Sequence, residues 1–397
     1  MAAFTSRPPQ QEHKLTYFEQ PNRPLRICFV ETAASAFTAH RKHLARAALE
    51  AGLEVHLIAP DTVTTSMVGF ERVICHELIL DRSSVGPWAE LGVISQLVRL
   101  YRRIRPDVVH HIALKPVLYG ALAARVAGVR CVVGTLTGLG YTFIPGGLSR
   151  RVLRLVVSSA LRVALSGGGH TTFENPDDRD FFIDEGLVAA ARSSVVVGSG
   201  VDTDEFTMQS EPSGVPVVLV GTRMLWDKGI GELVSAAQLL RAQGVQFRLV
   251  FAGAPDPQNP ASIPDSQLFD WQNRGLIEWL GMRRDMPSLL AQCHIACLPS
   301  YREGLPVFLA EAAASGRPCV STDVPGCRTA VIHEQTGLLV PACEVQGLAV
   351  ALRRLIEDSH LRHRLGLGGR QHAERELSSR TVSAAFLRLY QDMLAAR

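Results

Sequence analysis

Residues 301–320 read YREGLPVFLAEAAASGRPCV, and the rest of the chain is organised around them. Glu303 and Glu311 stand in this stretch with seven residues between them. Gly304-Leu305-Pro306 follows the first carboxylate and opens a helix. Proline suits a first helical turn, where its missing N–H would have no partner. Leu309, Ala310, Ala312, Ala313 and Ala314 favour the helix, and Gly316 with Pro318 ends it. Cys319-Val320-Ser321-Thr322 then reads as a buried parallel strand.

This layout carries a chemistry. The N–H groups at a helix start are unpaired and partly positive, so a diphosphate fits there. Glu303, just ahead of the helix, reaches a hydroxyl-rich group beyond the phosphates. Glu311, about two turns on and on roughly the same face, is placed to accept two hydrogen bonds from a ribose. Sugar, diphosphate and ribose are the parts of a nucleotide sugar, in that order. The competing reading is an amphipathic helix with two solvated carboxylates. Gly-Leu-Pro between them and a strand on each side weigh against it.

The remaining composition sets limits. A chain of 397 residues, 47% hydrophobic and 20% charged, is expected to form two globular domains, each with its own core. No run approaches 18 uncharged apolar residues, so no membrane-spanning helix is expected, and the start lacks a signal-peptide core. Residues 1–24 are expected to be a mobile tail. Domains are expected at 25–205 and 206–378, followed by a last helix at 379–397. The eight cysteines are scattered through apolar runs without zinc spacing, which fits a reducing cytoplasm. No metal site is expected; Asp202-Thr203-Asp204 is a weak candidate. A net charge of +3 does not call for nucleic acid.

Strand and helix patterns alternate along the first half, as in a doubly wound parallel α/β sheet. Leu25–Val30, Val55–Ala59, Arg72–Leu80 and Asp107–His111 read as strands; Ala39–Gly52 and Pro87–Arg103 read as helices. Ligands of such sheets sit at the carboxyl ends of strands. His110 and His111 are therefore candidates for the cleft, against the alternative of a hydrogen-bonded structural histidine. Lys115, on the following loop, is in reach of a phosphate. Cys131–Tyr141 is a strand running into a glycine-rich loop, where Thr137 and Gly138 become cleft candidates. Between Arg99 and Arg162 eleven basic residues face one acid, Asp107. Ser149–Ser166 sets Arg150, Arg151 and Arg154 among valines and leucines at helical spacing. This pattern suits a helix lying on an anionic membrane surface, or a core-facing helix with a solvated arginine face.

The second half repeats the rhythm. Arg223 and Lys228 lie on the loop after the strand Pro216–Gly221, where two cations converge on a diphosphate. Further strands are expected at Phe247–Gly253, Ile277–Gly281 and Ile295–Pro299, and helices at Ile230–Gln243, Glu344–Asp358 and Thr381–Leu394.

Glu303-x7-Glu311 resembles the motif of retaining glycosyltransferase family four, which has the GT-B fold of two Rossmann-like domains facing a cleft. Several phrases resemble the branch that extends saccharides on polyprenyl diphosphate carriers. They are His40-Arg41, Arg82-Ser83-Ser84, Pro106–His111, Lys115–Gly120, Thr137–Tyr141, Phe173–Arg179 and Gly198–Asp202. The resemblance spans Leu25 to Leu394. It implies that Arg223 and Lys228 hold the donor phosphates, that Glu303 orients the transferred sugar, and that Gly304, Leu305 and Pro306 belong to the donor site. It implies that Gly281 and Met282 border the nucleobase, that Thr336–Pro341 is a later strand of the second domain, and that the last helix, 379–397, crosses back onto the first domain. It also implies metal-independent transfer from a UDP-sugar, without a nucleophilic side chain, to a polyprenyl-diphosphate-linked saccharide at the inner face of the cytoplasmic membrane. Two positions depart from the wider family: Glu31-Thr32-Ala33-Ala34 replaces a glycine pair, and Thr137 stands where many members have histidine. The alternatives are a nucleotide-sugar epimerase of the same fold and a nucleotide-binding subunit that recruits partners to the membrane.

Overall fold

The computed structural model describes residues 23–65, 71–80, 87–138 and 148–396. Arg82-Ser83-Ser84, Leu139-Gly140-Tyr141 and nearly all of the expected tail lie outside them. The end of that tail is fixed: Arg23 donates to both carboxylate oxygens of Asp107, at 2.8 and 3.0 Å.

Thirteen strands are present among the described residues. They are β1 (Arg26–Val30), β2 (Glu54–Ala59), β3 (Ile74–Glu77), β4 (Val108–Ile112), β5 (Cys131–Leu136), β6 (His170–Phe173), β7 (Ser193–Val195), β8 (Val217–Gly221), β9 (Arg248–Ala252), β10 (Glu278–Trp279), β11 (Ile295–Leu298), β12 (Cys319–Thr322) and β13 (Gly337–Val340). They form two sheets, ordered β3-β2-β1-β4-β5-β6-β7 and β10-β9-β8-β11-β12-β13. Every pairing is parallel. This is the GT-B architecture expected from the sequence. Helices cover the sheets, so central strands are buried on both faces and read as unbroken apolar runs. The order reverses between β1 and β4 in the first sheet and between β8 and β11 in the second. At such a switch point the flanking loops diverge and leave a crevice. The Arg223, Lys228 and Glu303 loops leave the carboxyl ends of β8 and β11, at the second crevice.

The sheets have separate cores, and the last helix, Ser379–Ala395, belongs to the first. Val382, Phe386, Leu387 and Tyr390 are buried with Ile27, Phe29, Val55 and Val133. Two chain segments pass side by side as they cross between the halves. Val201 N–H donates to Leu377 C=O and Ser379 N–H donates to Val201 C=O, each at 2.8 Å.

The structure corrects the histidine expectation. His110 and His111 are fully buried in β4, and His111 lines a small pocket with Val117, Gly134 and Thr171, apart from the Glu303 loop. His110 hydrogen-bonds through Nδ1 to Tyr390 Oη and through Nε2 to Thr135 Oγ1, both at 2.6 Å. Its ring packs against Phe29 and Phe386. His111 Nε2 pairs with Tyr101 Oη at 2.9 Å. Burial holds both imidazoles below their ordinary range, His111 at about 3, so both are neutral struts. Their strand-end position was read correctly, but they lie inside the sheet layer, where helices cover both faces.

Tyr390→Phe removes the hydroxyl and leaves a buried imidazole nitrogen unpaired. It is expected to cost about 1–3 kcal/mol of stability, read as a lower midpoint in urea unfolding.

Candidate active site

The loop after β8 turns through Trp226–Lys228 before the helix Ile230–Ala242. It directs Lys228 Nζ to Glu303 Oε1 at 2.6 Å. Ser300 Oγ donates to the same oxygen at 2.7 Å. Lys228 and Glu303 are both mostly buried, at 15% and 13% side-chain exposure. Two donors on Oε1 fix the carboxylate plane, and Oε2 has no hydrogen bond among the described residues. Arg223 is more open, at 57%, and pairs with Asp256 at 2.6 Å. A half-exposed pair of this kind is weak, so Arg223 exchanges Asp256 for another anion at little cost.

The helix that follows Glu303 spans Val307–Ala314, with Pro306 at its N-cap. Leu305 and Pro306 are buried, which packs the start of the helix into the second domain. Glu311 lies on this helix, half-buried, with no hydrogen-bond or ion partner among the described residues. Desolvation, with a smaller push from Glu205, raises its carboxyl to about 8. A buried carboxyl left unpaired is a cost to the fold that a hydrogen-bond-donating ligand would relieve.

Gly281 and Met282 follow β10 at the same end of the second sheet. Gly281 C=O accepts from Gly253 N–H at 2.7 Å, and Met282 is 68% exposed. Across the cleft, Thr137 is exposed at the end of β5 and Gly138 is half-buried. Both approach the Glu303 loop: a Cβ on Gly304 would stand 2.4 Å from Thr137 C=O, and one on Gly138 would stand 3.3 Å from Gly304 Cα. Lys115 is not on a loop. It lies half-buried in the first turn of the helix Leu114–Ala127.

The basic helix spans Leu148–Leu165. The side chains of Arg150 and Arg151 lie outside the described residues. Arg154 pairs with Glu185 at 2.9 Å and covers the Phe181 ring, so this arginine is engaged within the protein. Leu155, Val156 and Val163 of the same helix are exposed at 65%, 60% and 57%. Asp202 caps its own turn, accepting from Asp204 and Glu205 N–H. No group of three acidic, histidine or cysteine residues is arranged for a metal among the described residues. None of their helices is long and apolar enough to cross a membrane.

Sequence reasoning gave no role to Arg41, Glu174, Asn175 or Asp178. Arg41 and Glu174 form a buried ion pair at 2.9 Å, at 3% and 7% exposure. Asn175 Nδ2 donates to Gly304 C=O at 2.8 Å, and Arg302 pairs with Asp178. Their signals in the sequence were the helix start at Asn175-Pro176 and the family-like phrases His40-Arg41 and Phe173–Arg179, neither of which names the partners, more than 120 residues away.

Residues 26–166 match the glycosyl transferase 4-like family and residues 215–358 the group 1 glycosyl transferases. The N,N'-diacetylbacillosaminyl-diphospho-undecaprenol alpha-1,3-N-acetylgalactosaminyltransferase of Campylobacter jejuni is 27% identical over 93% of this chain and 99% of its own. The UDP-Gal:alpha-D-GlcNAc-diphosphoundecaprenol alpha-1,3-galactosyltransferase of Escherichia coli is 25% identical over 68% of this chain and 72% of its own. The structure resembles that of HepE from Anabaena in complex with UDP, with a TM-score of 0.74 at 18% identity, covering 93% of this chain and all of the other.

The Glu311 carboxyl yields a test. It ionises near 4.5 when unfolded and near 8 in the folded chain. Between those values the folded state holds a proton that the unfolded state has lost, so this group lowers stability as pH rises from about 4.5 to 8. Glu311→Gln is expected to raise the Tm by about 2–4 °C at pH 8.5 and by much less at pH 5, measured by calorimetry.

Proposed function

The chain belongs to the glycosyltransferases, 4-like in its first half and group 1 in its second, and on that premise we propose a specific reaction. It moves a sugar, an N-acetylhexosamine or hexose, from a UDP-sugar to a polyprenyl-diphosphate-linked saccharide, with retention of configuration. The carrying observation is the convergence of Lys228, Ser300 and Glu303 at the switch point of the second sheet, beside the start of the helix Val307–Ala314. The acceptor class follows from the two relatives, whose names specify diphospho-undecaprenol saccharides. The UDP donor follows from the UDP-Gal of one relative and the UDP bound to HepE.

As the bond from the anomeric carbon to the diphosphate breaks, negative charge grows on the leaving oxygens. Lys228, Arg223 and the helix N–H groups are placed to stabilise it. Arg223 exchanges Asp256 for phosphate. Glu303, held through Oε1, offers Oε2 to a hydroxyl of the transferred sugar, and Glu311 accepts from the ribose. Gly281 and Met282 border the base. Thr137 and Gly138 face the sugar from the acceptor side. The acceptor hydroxyl attacks the face that the diphosphate leaves and passes its proton to a leaving diphosphate oxygen, so the new bond forms on the side where the old one broke. In this reading the protein cations carry the charge that a divalent ion carries elsewhere.

The deciding experiment offers UDP- and GDP-sugars with and without a polyprenyl diphosphate saccharide, and with EDTA. Acceptor-dependent release of UDP, unaffected by EDTA, is expected. Release without acceptor would instead mean an epimerase or hydrolase, and tight nucleotide binding without release a recruiting subunit. Arg223→Ala is expected to cut turnover about 100-fold or more with an unchanged Tm, because the side chain is mostly solvated.

The same reading seats Leu155, Val156 and Val163 on the membrane that holds the acceptor. They share one face of their helix, beside the basic stretch. Sedimentation with anionic vesicles is expected to bring down the wild type, and Leu155→Asp with Val163→Asp is expected to lower the partition coefficient about tenfold or more. Equal binding by the variant would remove this face from the proposal.

A further inference from the structure

Glu174 and Asn175 lie just past the end of β6, in the first domain, yet both end on a single peptide group of the second. The Glu174 carboxylate lies against the same peptide: a Cβ on Gly304 would stand 2.8 Å from Glu174 Oε2, and the Leu305 amide favours its ionised form. Asn175 Nδ2 donates to Gly304 C=O at 2.8 Å. The Gly304 carbonyl and the Leu305 amide are the two polar ends of one peptide plane, immediately after Glu303. Both gripping residues are fixed from behind. Arg41 holds Glu174 at 2.9 Å and also donates to Gly198 C=O at 3.4 Å. Asn175 is fully buried, and its Oδ1 accepts from Asp178 N–H at 2.8 Å as the cap of the helix Pro176–Asp184. Arg302–Asp178 and Arg328–Asp177 close the same seam.

Stability alone does not account for this arrangement. A buried ion pair such as Arg41–Glu174 rarely stabilises a fold more than an apolar pair of the same volume. Its effect is to keep a charged acceptor aimed at one amide of the opposite domain. A peptide pinned by its carbonyl and backed by a buried carboxylate has little room to rotate, and Glu303 is attached to it.

We propose that Glu174 and Asn175 are positioning residues that lock the Gly304–Leu305 peptide plane when the two domains meet, so that the Glu303 loop takes its working shape only in the closed molecule. Opening releases both ends of the peptide at once. On opening, Lys228 and Ser300 still hold Glu303 Oε1, but the backbone that carries Glu303 is no longer locked, which couples closure to chemistry. The kinetic consequence rests on the transferase reading; the structural one does not.

Three variants of the full-length protein test this. Glu174→Ala removes the carboxylate that lies against the Gly304–Leu305 peptide. Glu174→Gln keeps an acceptor of the same length. Asn175→Ser keeps a helix-capping oxygen but cannot reach Gly304. Hydrogen–deuterium exchange is read on the peptide spanning residues 302–307 and on β4 and β5, with saturating UDP. Glu174→Ala and Asn175→Ser are expected to speed loop exchange about tenfold or more while β4 and β5 stay protected; Glu174→Gln is expected to stay near wild type. With a turned-over donor, kcat is expected to fall about tenfold or more in the first two variants, with the donor KM within about threefold. Wild-type exchange in the loop, or loosening spread evenly through β4 and β5, would overturn the proposal. So would a variant that misfolds together with a Glu174→Gln protein that loses kcat as fully as the alanine variant. If no donor is turned over by the wild type, the transferase reading fails, and the exchange data still decide whether the grip exists.

Discussion

The geometry of the cleft depends on one missing atom. A Cβ at position 304 would stand 2.4 Å from the Thr137 carbonyl oxygen and 2.8 Å from Glu174 Oε2. Those groups belong to the first domain, and neither can withdraw cheaply, one being backbone and the other a buried ion pair. With glycine there, the Glu303 loop slides against the first domain. Gly198 makes a second close approach, since a Cβ on it would fall 2.1 Å from Leu305 Cδ2. The loop that carries the central carboxylate therefore meets the first-domain side at two close approaches.

The site divides its charges by how tightly each is held. Glu303 is fixed by two donors on one oxygen, which suits a group that must present its other oxygen at a set angle. Arg223 is solvated and pairs with an exchangeable aspartate. Glu311 has no partner among the described residues and destabilises the folded chain at neutral pH. Nothing in folding calls for an unpaired carboxyl on an otherwise apolar helix. In the proposed reading the ribose hydroxyls supply the donors that this carboxyl lacks.

Much of this was legible in the sequence because parallel α/β sheets write themselves locally. LRICFV, PVVLVG and the run before Tyr301 announce buried strands, and Gly304-Leu305-Pro306 announces the helix start beside Glu303. Arg223, Lys228 and Glu303 were placed by the rule that loops at strand ends carry function, and Lys228 and Glu303 do meet at 2.6 Å. The same rule misplaced His110 and His111. It locates a strand end along the chain but does not say which side chains point into the sheet layers. It also put Lys115 on a loop, where the chain had already entered a helix.

The sequence by itself determined most of the strand–helix alternation, the presence of two domains and the motif around Glu303, because hydrophobic period, glycine and proline act over a few residues. Only the tertiary structure decided that His110 braces the last helix through Tyr390, and that Arg154 is spent on Glu185. It alone brought Glu174 and Asn175 to the peptide after Glu303. Those contacts join residues 31 to 280 positions apart, and their partners are chosen by how sheets and helices pack. Local pattern carries no record of that choice.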